Sequence, residues 1–259
     1  MNSDSFALSA QKPARVALLD EARGLCVLLM VLYHIAYDLV YIFNVNLPWF
    51  HHRLAGMVQS MIAGGFILIA GIACRYSRSN SKRGCITLLL GLFITAATVL
   101  FMPSQAIYFG ILHFLGLCML LFGLLHRLFN LLPPSVGIPV CLLLFCLTMP
   151  VASGYLGFGT LKLLPLPQLL YSTNWLFFLG FADKNFFSAD YFPLLPWFFL
   201  FLGGAYGGVY FKRGKLPKLF YRSYLPFLAK IGRHSLLIYA LHQPVAYGIL
   251  YLFFRALRG

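Results

Sequence analysis

Residues 23–40, RGLCVLLMVLYHIAYDLV, form an apolar run that nevertheless contains an arginine, a histidine and an aspartate, Arg23, His34 and Asp38. A helix of about 20 apolar residues crosses the ~30 Å hydrocarbon core of a bilayer. Ionisable groups inside such a helix are costly, and they usually face a protein interior where they have a function. His34 follows Arg23 by eleven residues, about 16 Å along a helix axis, and Asp38 lies one turn further on the same face. The stretch therefore predicts a membrane helix with Arg23 near one surface and a histidine–aspartate pair deeper in the bilayer.

The composition of the whole chain also indicates a membrane protein. Of its 259 residues, 61% are hydrophobic and 10% are charged, and the mean hydropathy is +0.83. Soluble domains are nearer half apolar and a quarter charged. We predict an all-α, polytopic helical bundle that forms a single membrane domain over residues 1–259, with a polar N-terminal tail at 1–14. Seven stretches are apolar and long enough to span the membrane: 22–43, 55–74, 84–102, 105–126, 133–151, 191–211 and 234–254.

The basic residues predict the orientation of the bundle. The formal net charge is +14, and with seven spans and a cytoplasmic N-terminus, 15 of the 20 Lys and Arg residues face the cytoplasm. This bias is a strong positive-inside signal, so the basicity needs no nucleic-acid partner, and contact with anionic membrane lipid is a secondary consequence. The cytoplasmic residues are Lys12, Arg15, Arg23, Arg75, Arg78, Lys82, Arg83, Arg127, Lys212, Arg213, Lys215, Lys218, Arg222, Lys230 and Arg233.

The segment 152–190 is predicted to be an extracytoplasmic loop. Its part 161–181, LKLLPLPQLLYSTNWLFFLGF, is long enough to form an eighth span. An eighth span would move the basic loop 212–233 to the outside, against the positive-inside rule. We therefore favour a re-entrant or interfacial element, consistent with Pro165 and Trp175, and keep eight spans as the alternative.

His34 and Asp38 are the first candidates for catalysis. A carboxylate beside a histidine fixes the tautomer of the imidazole and raises its basicity, as a general base requires. The same pair also fits a structural role, as a buried polar contact between helices. Asp20 and Arg23, three residues apart, share one face at the start of the same helix.

Three further histidines lie within or close to the predicted spans. His51 and His52, in PWFHHRL, follow the first span, and they fit either loop residues at the headgroup level or a pocket that opens outward. His113 lies about two turns into the fourth predicted span, near the depth of His34, where a packing role is favoured over a functional one. Two histidines at one depth raise the question of a metal, but no third ligand spacing or carboxylate cluster accompanies them. No metal is therefore predicted.

The last two spans contribute four more polar candidates for a pocket. Asp190 and Tyr191 stand at the outer mouth of the sixth span, and His242 and Gln243 precede Pro244 inside the seventh. A proline inside a helix removes a backbone hydrogen bond and is a common cause of a kink. Such kinks often line cavities, although a purely structural kink fits the sequence equally well.

Four stretches of the chain, taken in order, resemble membrane acyltransferases. The first is LLDEARGLCVLLMVLYH, in which Arg23 and His34 form an R-x10-H pattern, and the others are GILHFLGLCMLL, DYFPLLPWF and IGRHSLLIYALHQPV. The resemblance extends over about residues 14–254. It is to the transmembrane acyltransferase superfamily, and most closely to small bacterial relatives of heparan-alpha-glucosaminide N-acetyltransferase, within its catalytic-domain family.

The resemblance implies a multi-pass enzyme of the bacterial cytoplasmic (inner) membrane. Such an enzyme moves an acyl group, commonly acetyl, from cytoplasmic acyl-CoA to a hydroxyl or amine of a cell-envelope glycan or glycolipid. In this chain Arg23, with Asp20 beside it, would bind the donor, acetyl-CoA or another acyl-CoA. His34 would deprotonate the acceptor or carry the acyl group itself, and Asp38 would orient the imidazole.

The chain departs from the larger relatives in two respects. The large lysosomal relative places its working histidine in the loop before the second span, where the nearest matches here are His51 and His52, so the resemblance nominates two alternative bases. We rank His34 first. Seven spans are also fewer than the larger relatives have, so part of their acceptor site is absent, replaced or supplied by a second copy in a homodimer.

A proton-coupled transporter or flippase for a small polar or lipid-linked substrate is the main competing interpretation. Intramembrane histidine and aspartate residues in proline-interrupted helices also suit a proton pathway, but the sequence shows no inverted repeat. A non-catalytic partner in a cell-envelope assembly is a third interpretation.

Overall fold

The computed structural model describes residues 16–214 and 216–258, with the side chain of Arg258 excepted. The predicted N-terminal tail at 1–14 lies outside the described residues. So do three of the basic residues used to predict the orientation, Lys12, Arg15 and Lys215.

Seven helices in the described part of the chain are long and apolar enough to cross a membrane. They match the seven predicted spans to within several residues at their ends, so the protein is an all-α, multi-pass membrane protein. A further helix, the seventh in chain order, is short. The helices are α1 (Ala17–Tyr41), α2 (Arg53–Cys74), α3 (Asn80–Phe101), α4 (Ile111–Phe129), α5 (Pro134–Thr148), α6 (Leu194–Lys212), α7 (Pro226–Arg233) and α8 (Ser235–Arg258).

Helix α4 begins later than the sequence predicts. The predicted span starts at residue 105, whereas the helix starts at Ile111. Residues Pro103–Gln105 form a 3-10 turn and residues 106–110 are not helical. Their backbone instead pairs with the segment before α6, through Ala189 N to the carbonyl of Ala106 and Phe192 N to the carbonyl of Phe109. His113 consequently lies in the first turn of α4, and its predicted position two turns into the span is wrong.

No helix spans the membrane between α5 and α6, so the eight-span alternative is wrong. An antiparallel hairpin of β1 (Tyr155–Phe158) and β2 (Leu161–Pro165) occupies the first half of this segment, and 3-10 turns occupy the second. Gly154 and Gly159 flank β1 with φ of 89° and 57°, a backbone region that glycine adopts without steric cost. The position of the hairpin at a lipid interface stays a prediction.

Close helix crossings hold the start of α1 in place. Gly24 of α1 lies against the carbonyl of Leu228 in α7, and Gly232 of α7 lies against the carbonyl of Asp20. A Cβ atom on either glycine would overlap the facing backbone, and small residues at crossings are typical of membrane helices. The crossing fixes the end of α1 that carries Asp20 and Arg23. We call this end of the bundle the basic end.

A buried carboxylate strengthens the same contact. Glu21 is 4% exposed, and its Oε1 accepts hydrogen bonds from Ser223 Oγ (2.6 Å), Tyr224 N (2.8 Å) and Leu225 N (2.9 Å). These groups lie at the start of α7, where a negative charge also interacts favourably with the helix dipole. Sequence reasoning did not single out Glu21.

The remaining spans pack in pairs around the core. Helix α3 packs on α4, α6 packs on both α2 and α5, and α1 contacts α2 and α8. Ile67, Phe114 and Phe201, from three different helices, are fully buried in this core. By contrast, only 6% of the apolar window of α8 is buried, as suits a helix that faces lipid.

Candidate active site between helices α1 and α8

A cavity of about 220 Å³ lies among α1, α3, α4, α8 and the residues that precede α6. We call it the central cavity. It brings together six of the polar residues predicted from the sequence: His34, Asp38, His113, Asp190, His242 and Gln243.

His34 has one ring nitrogen engaged and one available. Its Nδ1 lies 2.9 Å from the carbonyl oxygen of Met30, one turn earlier in α1. A carbonyl only accepts, so Nδ1 carries a proton, and in the neutral imidazole Nε2 has the lone pair. The prediction that Asp38 orients this imidazole is therefore wrong, because the helix's own carbonyl is the partner that fixes the tautomer.

Asp38 instead joins α1 to α8. It is 0% exposed, and its Oδ1 accepts a hydrogen bond of 2.6 Å from Gln243 Nε2. Since a carboxylate only accepts, this bond also fixes the orientation of the amide. Asp38 Oδ2 and Gln243 Oε1 are buried and have no hydrogen-bond partner in the described part of the chain.

His242 lies directly beside His34. The two ring centroids are 4.8 Å apart, with the planes at 80°. Nδ1 of His242 lies 2.6 Å from the carbonyl oxygen of Tyr239, so Nε2 again has the lone pair. This Nε2 is buried without a hydrogen-bond partner among the described residues, and an unmet buried polar atom costs about 1–3 kcal/mol. Such a cost is usually retained for a reason, often catalytic.

His113 lies in the wall of the central cavity that α3 and α4 form. Its Nε2 lies 3.0 Å from Thr95 Oγ1, and that hydroxyl donates to the carbonyl of Ile107 at 2.6 Å. The hydroxyl therefore accepts from Nε2–H. His113 is 3% exposed, and a Cβ atom at Gly91 of α3 would lie 3.0 Å from its ring. These contacts favour the packing role over a catalytic one.

Asp190 connects the cavity to the start of α4. Its Oδ2 accepts from Ile111 N at 2.9 Å and from the hydroxyl of Tyr239 at 3.3 Å. A carboxylate at a helix N-terminus is stabilised by the helix dipole. Burial nevertheless raises the pKa of the Asp190 carboxyl above its ordinary value. Asp190 thus holds α4 against α8 while facing the same cavity as His34.

Tyr191 points away from the central cavity. Its hydroxyl donates to the carbonyl of Phe177 at 2.6 Å, and it lines a separate depression beside the loop after the hairpin. The neighbouring backbone pairs with the strand-like residues before α4, through Phe192 N to the carbonyl of Phe109 at 2.9 Å. The prediction that Tyr191 belongs to the pocket is wrong, because its hydroxyl is used to hold the loop.

His51 and His52 lie at the exposed end of the bundle opposite the basic end. His52 caps α2, with its Nδ1 accepting from Leu54 N at 3.3 Å. The ring of His51 packs edge-on against Tyr41, with the centroids 6.1 Å apart. Neither histidine belongs to the lining of the central cavity, so their location fits the headgroup-level alternative.

Arg23 lines a second cavity, of about 200 Å³, together with Arg83 and Ser235. We call it the basic-end cavity. Asp20 is 6% exposed, and its two carboxylate oxygens lie 3.6 Å from Arg23 Nη1 and 3.9 Å from Arg233 Nε. These contacts place Asp20 beside Arg23, and binding of the donor by Asp20 stays a prediction. Asp20 positions Arg23.

A small apolar pocket of about 40 Å³ adjoins both cavities. It shares His34 and Asp190 with the central cavity and Phe66 with the basic-end cavity, and Tyr239 lines all three. The three spaces therefore follow α1 from Arg23 to His34. Sequence reasoning missed Tyr239, although it lies one helical turn before His242 in a stretch that the sequence had marked.

The fold and the site together define a multi-pass membrane protein with a polar cavity between its helices. Within that class, residues 15–244 match the family described as heparan-alpha-glucosaminide N-acetyltransferase, catalytic. The chain belongs to this family, which is of the membrane acetyltransferase type. Comparison with curated proteins and with solved structures gives no match.

Proposed function

We propose that the protein transfers an acetyl group from acetyl-CoA to a hydroxyl or amine of a cell-envelope glycan or glycolipid, in the bacterial cytoplasmic membrane. Membership of the family supports acetyl transfer. The observation that carries the assignment to this site is the series of adjoining cavities that leads from Arg23 to His34.

The donor enters at the basic end. Arg23 and Arg83 line that cavity, and arginine recognises phosphate through paired, charge-assisted hydrogen bonds. The positive-inside bias supports a cytoplasmic location for this end, on the side of the membrane where acyl-CoA is made. The thioester end of the donor then extends through the apolar pocket toward His34, about 16 Å along the helix axis.

His34 acts on the acceptor through Nε2. This nitrogen takes the proton from the acceptor hydroxyl or amine while the acceptor attacks the thioester carbonyl. The C–S bond breaks, the new C–O or C–N bond forms, and the CoA thiolate receives the proton that His34 removed. Tyr239 lines all three cavities, and its hydroxyl would stabilise the oxyanion by exchanging its hydrogen bond to Asp190 Oδ2 for one to the substrate. Transfer through acetyl-His34 would use the same nitrogen.

A labelling experiment tests the proposal. The purified protein in liposomes is given acetyl-CoA labelled in the acetyl group, together with glucosamine, glucose and a lipid-linked glycan mixture. We expect label in an acceptor or on the protein, and none when the label is in the CoA moiety. The absence of acetyl label, combined with saturable uptake of an acceptor into the liposomes, would contradict acetyl transfer and favour transport.

A further inference from the structure

The wall of the central cavity formed by α1 and α8 has three buried hydrogen-bond acceptors. Asp38 Oδ2, His242 Nε2 and Gln243 Oε1 have no hydrogen-bond partner in the described part of the chain. The other polar atom of each side chain is engaged: Asp38 and Gln243 bond each other, and His242 Nδ1 bonds a backbone carbonyl. These bonds make all three remaining atoms acceptors.

Three hydrogen-bond acceptors with no donor among them favour a ligand that donates hydrogen bonds. A phosphate or carboxylate would be repelled by Asp38, and an ether or ester would leave the acceptors unmet. A hydroxyl or an amine, which donates, satisfies them. His34 and Asp190 also face the cavity, and neither supplies a permanent positive charge. The cations near the site are at the basic end, with Arg23.

We propose that Asp38, His242 and Gln243 form the subsite that binds the hydrogen-bond-donating groups of the acyl acceptor. The proposal rests on the proposed function, because a donor group bound there lies beside His34, whose ring is 4.8 Å from that of His242. The acceptor is then a hydroxyl- or amine-rich molecule such as a sugar, recognised by its donors.

All three side chains line the central cavity. The three acceptor atoms are buried, so a ligand reaches them after side chains of the wall turn. Pro244 follows immediately and lies inside α8. It has no N–H to donate to the carbonyl of Ala240, so this carbonyl lacks its usual helical hydrogen bond.

Equilibrium binding to the purified full chain in detergent tests the subsite. The probes are glucosamine and glucose, which carry donors, and permethylated glucose, which has the same ring without donors. We expect saturable binding of the first two and none of the third. Gln243→Met should weaken glucosamine binding about tenfold, which corresponds to about 1.4 kcal/mol.

The matched control is Gln105→Met. Gln105 is also on the wall of the central cavity, but its Oε1 already accepts from the hydroxyl of Tyr37 at 2.9 Å, so glucosamine affinity should stay within about twofold. A melting curve for each variant checks folding, and His242→Gln replaces Gln243→Met if the latter fails to fold. The proposal is overturned if no probe binds the wild type, if permethylated glucose binds as well as glucose, or if both glutamine variants weaken binding equally.

Acetyl transfer, measured separately, distinguishes the two proposals. Selective sugar binding that depends on Gln243, without any acetyl transfer, would contradict the proposed function but support the binding subsite. Acetyl transfer with the same acceptor KM in Gln243→Met and Gln105→Met would leave the function and overturn the subsite.

Discussion

The two walls of the central cavity use histidine in opposite ways. On the α1–α8 wall, His34 and His242 each donate from Nδ1 to a carbonyl of their own helix, which leaves Nε2 free to accept. On the α3–α4 wall, His113 donates from Nε2 to Thr95, which in turn donates to Ile107. The histidines of the α1–α8 wall therefore each have a ring nitrogen that can still accept, whereas His113 in the α3–α4 wall belongs to a completed chain of hydrogen bonds.

The difference shows that the role of a histidine in the cavity wall depends on what its second ring nitrogen bonds. All three histidines line one cavity, so depth in the membrane does not separate them. A completed chain stabilises the contact between two helices, whereas an open nitrogen remains able to take a proton. Four predictions test this contrast.

The largest effect on acetyl transfer is expected from a change in the α1–α8 wall. His34→Ala should lower acetyl transfer by about 10²–10⁴-fold, because it removes the proposed general base. Transfer of labelled acetyl in liposomes measures the effect, and an unchanged melting temperature shows that the fold is retained. Normal transfer by this variant, with loss of transfer in His51→Ala or His52→Ala, would assign the base to the loop instead.

The basic end should affect binding of the donor more than the chemistry. Arg23→Ala should raise the KM for acetyl-CoA about tenfold with kcat little changed, since a hydrogen bond to a charged group contributes about 1.5–3 kcal/mol. Steady-state kinetics separate the two constants. Arg53→Ala, an exposed arginine at the start of α2, is the control, and an equal rise in KM there would point to a general charge effect.

A change in the α3–α4 wall should lower stability without changing the reaction. Thr95→Val leaves Nε2–H of His113 without its acceptor, at a cost of about 1–3 kcal/mol. We expect a lower melting temperature in detergent and acetyl transfer within about threefold of wild type in the folded protein. A loss of transfer as large as that of His34→Ala would mean that both walls take part in the chemistry.

The smallest effects are expected outside the cavity. His51→Ala and His52→Ala should each leave acetyl transfer within about twofold of wild type. His52→Ala should also lower stability by about 1 kcal/mol, as the loss of a helix cap does, because His52 caps α2. Melting curves and the labelling assay, run side by side on both variants, check the pair.

Much of the fold could be predicted from the sequence because the bilayer imposes one length on every span. All seven spans were found. The errors fell where a tertiary backbone pairing or local glycine conformation overrides hydropathy, as before α4 and at Gly154 and Gly159 around the hairpin. The contact of α7 with α1 could not be predicted. It depends on Gly24 and Gly232, which lie far apart in the chain and meet only in the folded bundle.

The candidate site was predicted as a set of residues but not as a set of contacts. Spacing correctly put His34 and Asp38 on one face of α1, yet the partner of each lies elsewhere: Met30 for His34 and Gln243 for Asp38. A histidine in a helix has a backbone carbonyl one turn back within reach. The pairing of Asp38 with Gln243 is a tertiary contact across 205 positions, which no local spacing can reveal.

The fixed start of α1 has a consequence for inhibitors. Glu21 and the Gly24–Gly232 crossing hold the basic end of the helix, and α1 runs unbroken from Arg23 to His34. The helix therefore fixes a separation of about 16 Å along its axis between Arg23 and His34. Under the proposed function, a bisubstrate compound needs a linker matched to that length, and a shorter or longer linker would engage either Arg23 or His34 but not both.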